Sequence, residues 1–159
     1  METTTEAAVE RELVIDASPE TVWEFLTDPS KMERWLGSEI TIDPRPGGAY
    51  RVDVMSNENI AKGEYVEVDP PRRLVHTFGW ETSRNPEMAK LVPPGSTRLE
   101  FELEPSDGGT KLTFRHVGLP TEEAIRNHGI GWDHYLDRLR TLAAGGDPGP
   151  DVGPEMPTS

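Results

Sequence analysis

His128–Leu142 reads HGIGWDHYLDRLRTL, and the fold turns on how this stretch is read. Extended back to Ile125 and on to Ala143, it repeats an apolar or small residue at steps of three or four: Ile125, Gly129, Trp132, Leu136, Leu139, Ala143. That is the period of one helical face. Thr121 offers an N-cap, and Glu122 and Glu123 suit a first turn whose backbone N–H groups point outward. Gly145 and Gly146 follow the last periodic residue. The pattern predicts an amphipathic helix of about six turns at 3.6 residues per turn. Two glycines interrupt it on either side of Ile130, and a glycine inside a helix costs roughly 1 kcal/mol relative to alanine. Gly129 lies on the apolar stripe one turn before Trp132. Its missing side chain leaves room either for close packing against an aromatic such as Phe114 or for a ligand. Gly131 lies off the stripe and receives no reading from the sequence.

Upstream of this helix the period is two. The segment TKLTFRHVG sets Leu112, Phe114 and His116 on one side. It is joined by SDGG, a strong hairpin turn, to TRLEFELE. There Leu99, Phe101 and Leu103 alternate with Arg98, Glu100 and Glu102. RLVHTFGWE places Leu74, His76, Phe78 and Trp80 on one face, and KGEYVEV, AYRVDVM and SEITID complete a run of strands. Each has one dry and one wet side, the mark of an antiparallel sheet covered on a single face. The irregular stretch TSRNPEMAKLVPPGS, residues 82–96, is long enough for a lid or entrance, with Met88 and Leu91 as its apolar contacts. Earlier still, SPETVWEFLTD and DPSKMERWLG each begin with a capping residue followed by proline, at Ser18–Pro19 and Asp28–Pro29. That combination opens helices. VERELVIDA supplies a first strand.

The expected architecture is therefore α+β: one strand, two short helices, about six more strands, and one long terminal helix. A sheet with one dry face must be covered, and only the last helix is long enough to cover it. A curved sheet and a straight helix do not match perfectly, so a gap between them is expected.

With 159 residues the chain suits one domain. The expected boundaries are a disordered N-terminus over 1–8, the folded domain over 9–144, and a disordered Gly/Pro-rich acidic tail over 145–159. The absence of cysteine excludes disulfides and thiolate metal sites. The net charge of −13, from 29 acidic and 16 basic residues, argues against a nucleic-acid backbone or an anionic membrane as partner. No apolar run has transmembrane length, so no membrane insertion is expected, and the start shows no signal pattern. A cytoplasmic protein, monomeric or homodimeric, is the simplest expectation.

Five stretches together carry a family resemblance: ASPETVWEFLTDPSKMERWL, GGAYRV, GEYVEVDPPRRLVHTFGW, LEFELEPSDGGTKLTFRHVGL and HGIGWDHYLDRL. In this order the chain resembles the START-like, or SRPBCC, superfamily, whose helix-grip fold is also called birch-pollen-allergen-like. Within it the chain is similar to the branch named after the C-terminal domain of the activator of heat-shock protein 90 ATPase. The resemblance implies a curved antiparallel sheet of about six to seven strands around a long C-terminal helix. It also implies a cavity for a small hydrophobic or amphipathic ligand between the two. Relatives in the superfamily bind lipids, steroids, polyketides or plant hormones, and some are cyclases or hydratases. A chaperone-binding role follows by analogy to the ATPase activator.

Alternation and helix phase place Phe78, Trp80, Phe101, Phe114 and Trp132 inward, where they serve as core or as the apolar wall of a ligand site. Trp80 borders the 82–96 loop. His76 and His116 fall on dry faces. A buried imidazole needs a hydrogen-bond partner, so each is a satisfied core histidine, a ligand contact, or a general acid/base in a cyclase- or hydratase-type alternative. His128 sits one turn before Trp132 and points to the cavity rim. Arg51 and Asp53 face water or form a charged pair at the cavity mouth. The histidines lack the tight spacing of a metal site, no nucleophile elbow or phosphate loop is present, and no cofactor is expected.

Overall fold

Asp107 and Gly108 both take positive φ, 45° and 84°, and connect two strands through the pair Ser106 and Gly109. A two-residue turn of this hand matches the natural twist of a hairpin, so the SDGG signal fixes the register of everything beside it. The computed structural model describes residues 8–54 and 59–149. The strands are β1 (Ala8–Ile15), β2 (Ile40–Ile42), β3 (Ala49–Val54), β4 (Asn59–Asp69), β5 (Arg73–Thr82), β6 (Thr97–Ser106) and β7 (Gly109–Val117). They form one antiparallel sheet in the order β1-β7-β6-β5-β4-β3-β2. The first strand thus returns to pair with the last. The helices are α1 (Pro19–Thr27), α2 (Pro29–Met32), α3 (Pro86–Leu91) and α4 (Glu122–Ala143). The chain has the α+β helix-grip architecture, with seven strands against a long C-terminal helix.

Three helices start by the same device. The side chains of Ser18, Asp28 and Asn85 accept backbone N–H bonds from Thr21, Ser30 and Glu87, and a proline follows each cap. The third instance corrects the expectation of an irregular loop over 82–96: Asn85 and Pro86 open α3 inside it. The fourth helix opens on Thr121, whose hydroxyl accepts from the Ala124 N–H at 3.0 Å.

The core lies between the inner face of α4 and the concave side of the sheet. Leu136 and Leu139 meet a layer that includes Leu99, Phe101, Leu112 and Phe114, all buried. Each such side chain contributes roughly 1.5–3 kcal/mol by leaving water. The helix sits closest to β1: a side chain on Gly129 would meet Val9 and, at 3.0 Å, the guanidinium of Arg11. Arg11 also pairs with Asp133 across this seam. Arg138 fastens the other end of the helix. Its buried guanidinium donates to the backbone carbonyls of Arg34, Trp35 and Gly149 at 3.0–3.3 Å.

Two acidic residues are buried: Glu100, expected on the wet face, and Asp53, expected in water or in a charged pair at the cavity mouth. Glu100 is 5% exposed because Arg98 and Arg115 flank it on the outer face of the sheet. Asp53 is buried because the backbone at 37–38 lies over the end of β3. Ser38 N–H donates to the Asp53 carbonyl, and a side chain on Gly37 would sit 2.5 Å from that oxygen. Arg51 stays half-exposed, 3.9 Å from Glu81. Ala8 already belongs to β1, and residues 145–149 continue past α4 to the carbonyl held by Arg138. The rest of the two expected terminal segments, 1–7 and 150–159, falls outside the described residues.

Candidate functional site

The space between sheet and helix is not shared evenly. On the β1–β7 side α4 is packed tight. On the β3–β5 side a cavity of about 340 Å³ remains, at the lower end of the usual range of about 300–1,000 Å³ for small-molecule sites. Its sheet wall is Tyr50 and Val54 of β3, Asn59 of β4, and Phe78 and Trp80 of β5. Its helix wall is Asn127, His128, Gly131, Trp132 and Tyr135 of α4. Ser83, Arg84, Asn85 and Met88 roof it, and Leu36 closes one end.

The roof is attached to the sheet at both ends. Asn59 holds its start, accepting from the Arg84 N–H at 3.0 Å and the Ser83 hydroxyl at 3.3 Å. Its far end lies directly on β5: Trp80 N–H donates to the Val92 carbonyl at 2.7 Å. Gly79 permits this approach, since any side chain there would collide with the Pro93 backbone.

Four of the eight residues singled out from the sequence line the cavity: Phe78, Trp80, His128 and Trp132. The other four, His76, Phe101, Phe114 and His116, are buried but lie outside its lining. They form the layer beneath it. The Phe114 ring centre lies 4.6 Å from that of Trp132 and 5.1 Å from that of Phe101. His76 stacks on Tyr50 at 3.9 Å. Met88 faces the cavity as expected, whereas Leu91 is 40% exposed and turns away.

The hydrogen bonds assign the histidine protons. Thr97 donates its only hydroxyl hydrogen to the Phe78 carbonyl at 2.7 Å. Its oxygen must therefore accept from His116 Nε2, 2.8 Å away. His116 Nδ1 in turn accepts from the Trp132 indole N–H at 3.1 Å. His128 repeats the scheme: Nδ1 donates to the Ala124 carbonyl at 2.7 Å, and Nε2 accepts from the Trp80 indole N–H at 3.0 Å. His76 donates from Nδ1 to the Thr77 carbonyl at 2.8 Å. All three imidazoles are neutral. Burial pushes the His76 pKa down to about 4, against a partial offset from the Thr77 bond. Burial also holds His116 well below the ordinary value, helped by nearby His128 and His76. His128 is lowered by burial and partly restored by its bond to Ala124. Burial likewise raises the phenols of Tyr50 and Tyr65. A general base must reach its substrate and accept a proton. His76 and His116 lie outside the cavity wall, and His116 and His128 each already use both ring nitrogens. The geometry therefore offers no support for His76 or His116 as the general acid/base of the cyclase or hydratase alternative.

As cavity residues, sequence reasoning missed Leu36, Asn59, Asn127, Gly131 and Tyr135; it read Tyr50 and Val54 only as strand residues, and Ser83, Arg84 and Asn85 only as part of the 82–96 lid or entrance. Gly131 carried a usable signal, a second costly glycine with no packing reason. A side chain there would meet nothing within 4 Å. The two glycines thus divide the roles left open for one: Gly129 permits close packing, on β1 rather than on Phe114, and Gly131 borders the void. The described residues contain no cluster of three His, Cys, Asp or Glu able to hold a metal, and no helix long and apolar enough to cross a membrane.

The sequence profile of the family described as "Activator of Hsp90 ATPase homolog 1-like protein" matches residues 16–144. The solution structure of the AHSA1-like protein RHE_CH02687 from Rhizobium etli shares 40% identity and superposes with a TM-score of 0.72. That match covers 100% of this chain and 98% of the Rhizobium protein. DynU16, from the dynemicin biosynthetic locus, has a TM-score of 0.75 at 21% identity. The match covers 91% of this chain but 49% of DynU16, so the chain spans about half of that protein's length. The Aha1 dimer from Colwellia psychrerythraea has a TM-score of 0.70 at 17% identity, over 87% of this chain and 97% of that one. The last two likenesses are of fold. A search of curated proteins finds no match.

Proposed function

The chain belongs to the family of Activator of Hsp90 ATPase homolog 1-like proteins, and from that premise we propose that it binds a small, largely apolar molecule between α4 and β3–β5. One observation carries the reading. Beside an otherwise close-packed helix lies a 340 Å³ cavity walled by Tyr50, Phe78, Trp80, Met88, Trp132 and Tyr135, with Gly131 open toward it. Apolar and aromatic walls with a few fixed polar groups are what small-molecule sites require. The alternative role, activation of a chaperone, draws on the family's name alone and takes second place.

Trp80 and Trp132 both line the space, so their fluorescence reports an occupant. Titration with the neutral probe 4-phenylbutan-1-ol is expected to shift tryptophan emission and raise Tm. Gly131→Leu, which fills the void from the helix side, is expected to abolish both effects while the protein stays folded. Equal binding by Gly131→Leu and the wild type overturns the reading.

A further inference from the structure

We infer that the molecule taken up by this cavity ends in a carboxylate, held at the rim by the side-chain amide N–H groups of Asn59 and Asn85. The inference rests on the binding reading above and goes beyond it by naming the chemistry of the ligand's polar end.

The argument starts from which atoms are already in use. Asn59 Oδ1 accepts from the Arg84 backbone N–H at 3.0 Å and from the Ser83 hydroxyl at 3.3 Å. Asn85 Oδ1 accepts from the backbone N–H groups of Glu87 at 3.1 Å and Met88 at 3.4 Å. A backbone N–H only donates, so the amide oxygen of each asparagine is the end that meets it. The NH2 group is then the other end. No hydrogen bond within the described residues uses either of these NH2 groups. Ser83 Oγ, the remaining rim hydroxyl, accepts from the Asn85 N–H at 3.1 Å while donating to Asn59. On the opposite wall His128 has one acceptor nitrogen, and the Trp80 indole N–H occupies it. At the Asn59–Asn85 end of the rim the acceptors are therefore occupied and donors are on offer, whereas Asn127, across the cavity on α4, offers both an amide oxygen and an NH2.

The charge of the wall points the same way. The chain carries a net charge of −13, yet among the described residues the cavity lining contains no carboxylate. A carboxylate has two oxygens and about four lone-pair sites and accepts only, so it suits a rim that presents NH2 donors. An ammonium group at the same place would face N–H groups. The apolar tail would lie between Phe78, Met88 and Trp132.

A matched series isolates the head group: 4-phenylbutanoate, 4-phenylbutan-1-ol and 4-phenylbutan-1-amine, titrated calorimetrically into the full chain at pH 7. The acid is expected to bind about tenfold or more tighter than the alcohol, the amine weakest, because bonds to charged groups are the stronger ones. The informative variants are Asn59→Asp and Asn85→Asp. Aspartate keeps the oxygen that each site uses and remains a good helix cap, but it replaces the NH2 donor with a second anionic oxygen. Both variants are expected to lose the preference for the acid and favour the amine, with alcohol affinity within about twofold of wild type. Equal wild-type affinity for acid and alcohol overturns the carboxylate assignment while leaving the cavity reading intact. So does an unchanged acid preference in both aspartate variants. Binding of none of the three compounds overturns both.

Discussion

The two long sides of α4 face the same sheet and differ in kind. Toward β1 the helix is pressed down at Gly129, over Val9 and Arg11, and Trp132 packs on Phe114 of β7 with the two rings tilted by 49°. Toward β3–β5, two residues further on, Gly131 meets nothing and the wall opens into the cavity. Residues i and i+2 of a helix do not face each other, so one pair of glycines can serve close approach on one flank and empty space on the other. A helix that fits tightly along one margin of a curved sheet must stand off from the opposite margin. The void follows from where the helix is seated, and no special lining is needed to hold it open.

The contrast is open to attack by mutation, and the largest effect is expected on the closed flank. Phe114→Ala, at a fully buried site, should destabilise by about 3–5 kcal/mol in urea unfolding. Met88→Ala, on the cavity wall, should cost less than half as much, because part of its surface already faces empty space. Equal losses would remove the asymmetry.

Next comes acid. His76 is neutral in the folded protein with its pKa depressed to about 4, whereas the unfolded chain takes up that proton below about pH 6.5. Between these values the unfolded state binds more protons, so stability falls as pH falls. The slope approaches about 1.4 kcal/mol per pH unit for this one group. His76→Phe should show a shallower decline between pH 6.5 and 4 than the wild type. Comparing the two separates the histidine from the chain's 29 acidic residues. Parallel declines would mean that His76 is not held neutral by folding.

Gly129→Leu is expected to cost about 1–3 kcal/mol by overpacking against β1, with no such loss in Gly131→Leu. The smallest effect sharpens the picture most. Gly131→Ala places a methyl group in open space and improves helix propensity, so it should raise stability by about 0.5–1 kcal/mol. A destabilised Gly131→Ala would show that the open flank is tighter than the geometry indicates.

Periodicity made most of this fold readable. The alternation of β5, β6 and β7 placed His76, Phe101, Phe114 and His116 on the dry face, and all four are buried. It carries no information about lateral position on that face, and the cavity occupies only the part bounded by β3, β4 and β5. Lateral position is set by the seat of α4 on β1, a contact between residues more than a hundred positions apart. The helix α3 escaped notice because six residues hold too few turns for a period. Its cap-and-proline start, already recognised at Ser18 and Asp28, was the signal available. Glu100 and Asp53 are buried for reasons alternation cannot see: neighbouring arginines in one case, a crossing backbone in the other.

Arg138 joins α4 to the turn after α2 and to the segment following α4 at Gly149 through three backbone carbonyls. None of those acceptors is a carboxylate, and none gains or loses a proton. The joint therefore depends on no acidic partner. In acid strong enough to discharge the carboxylates that decorate the outer sheet surface, the C-terminal end of the helix should remain moored, and loosening should begin elsewhere.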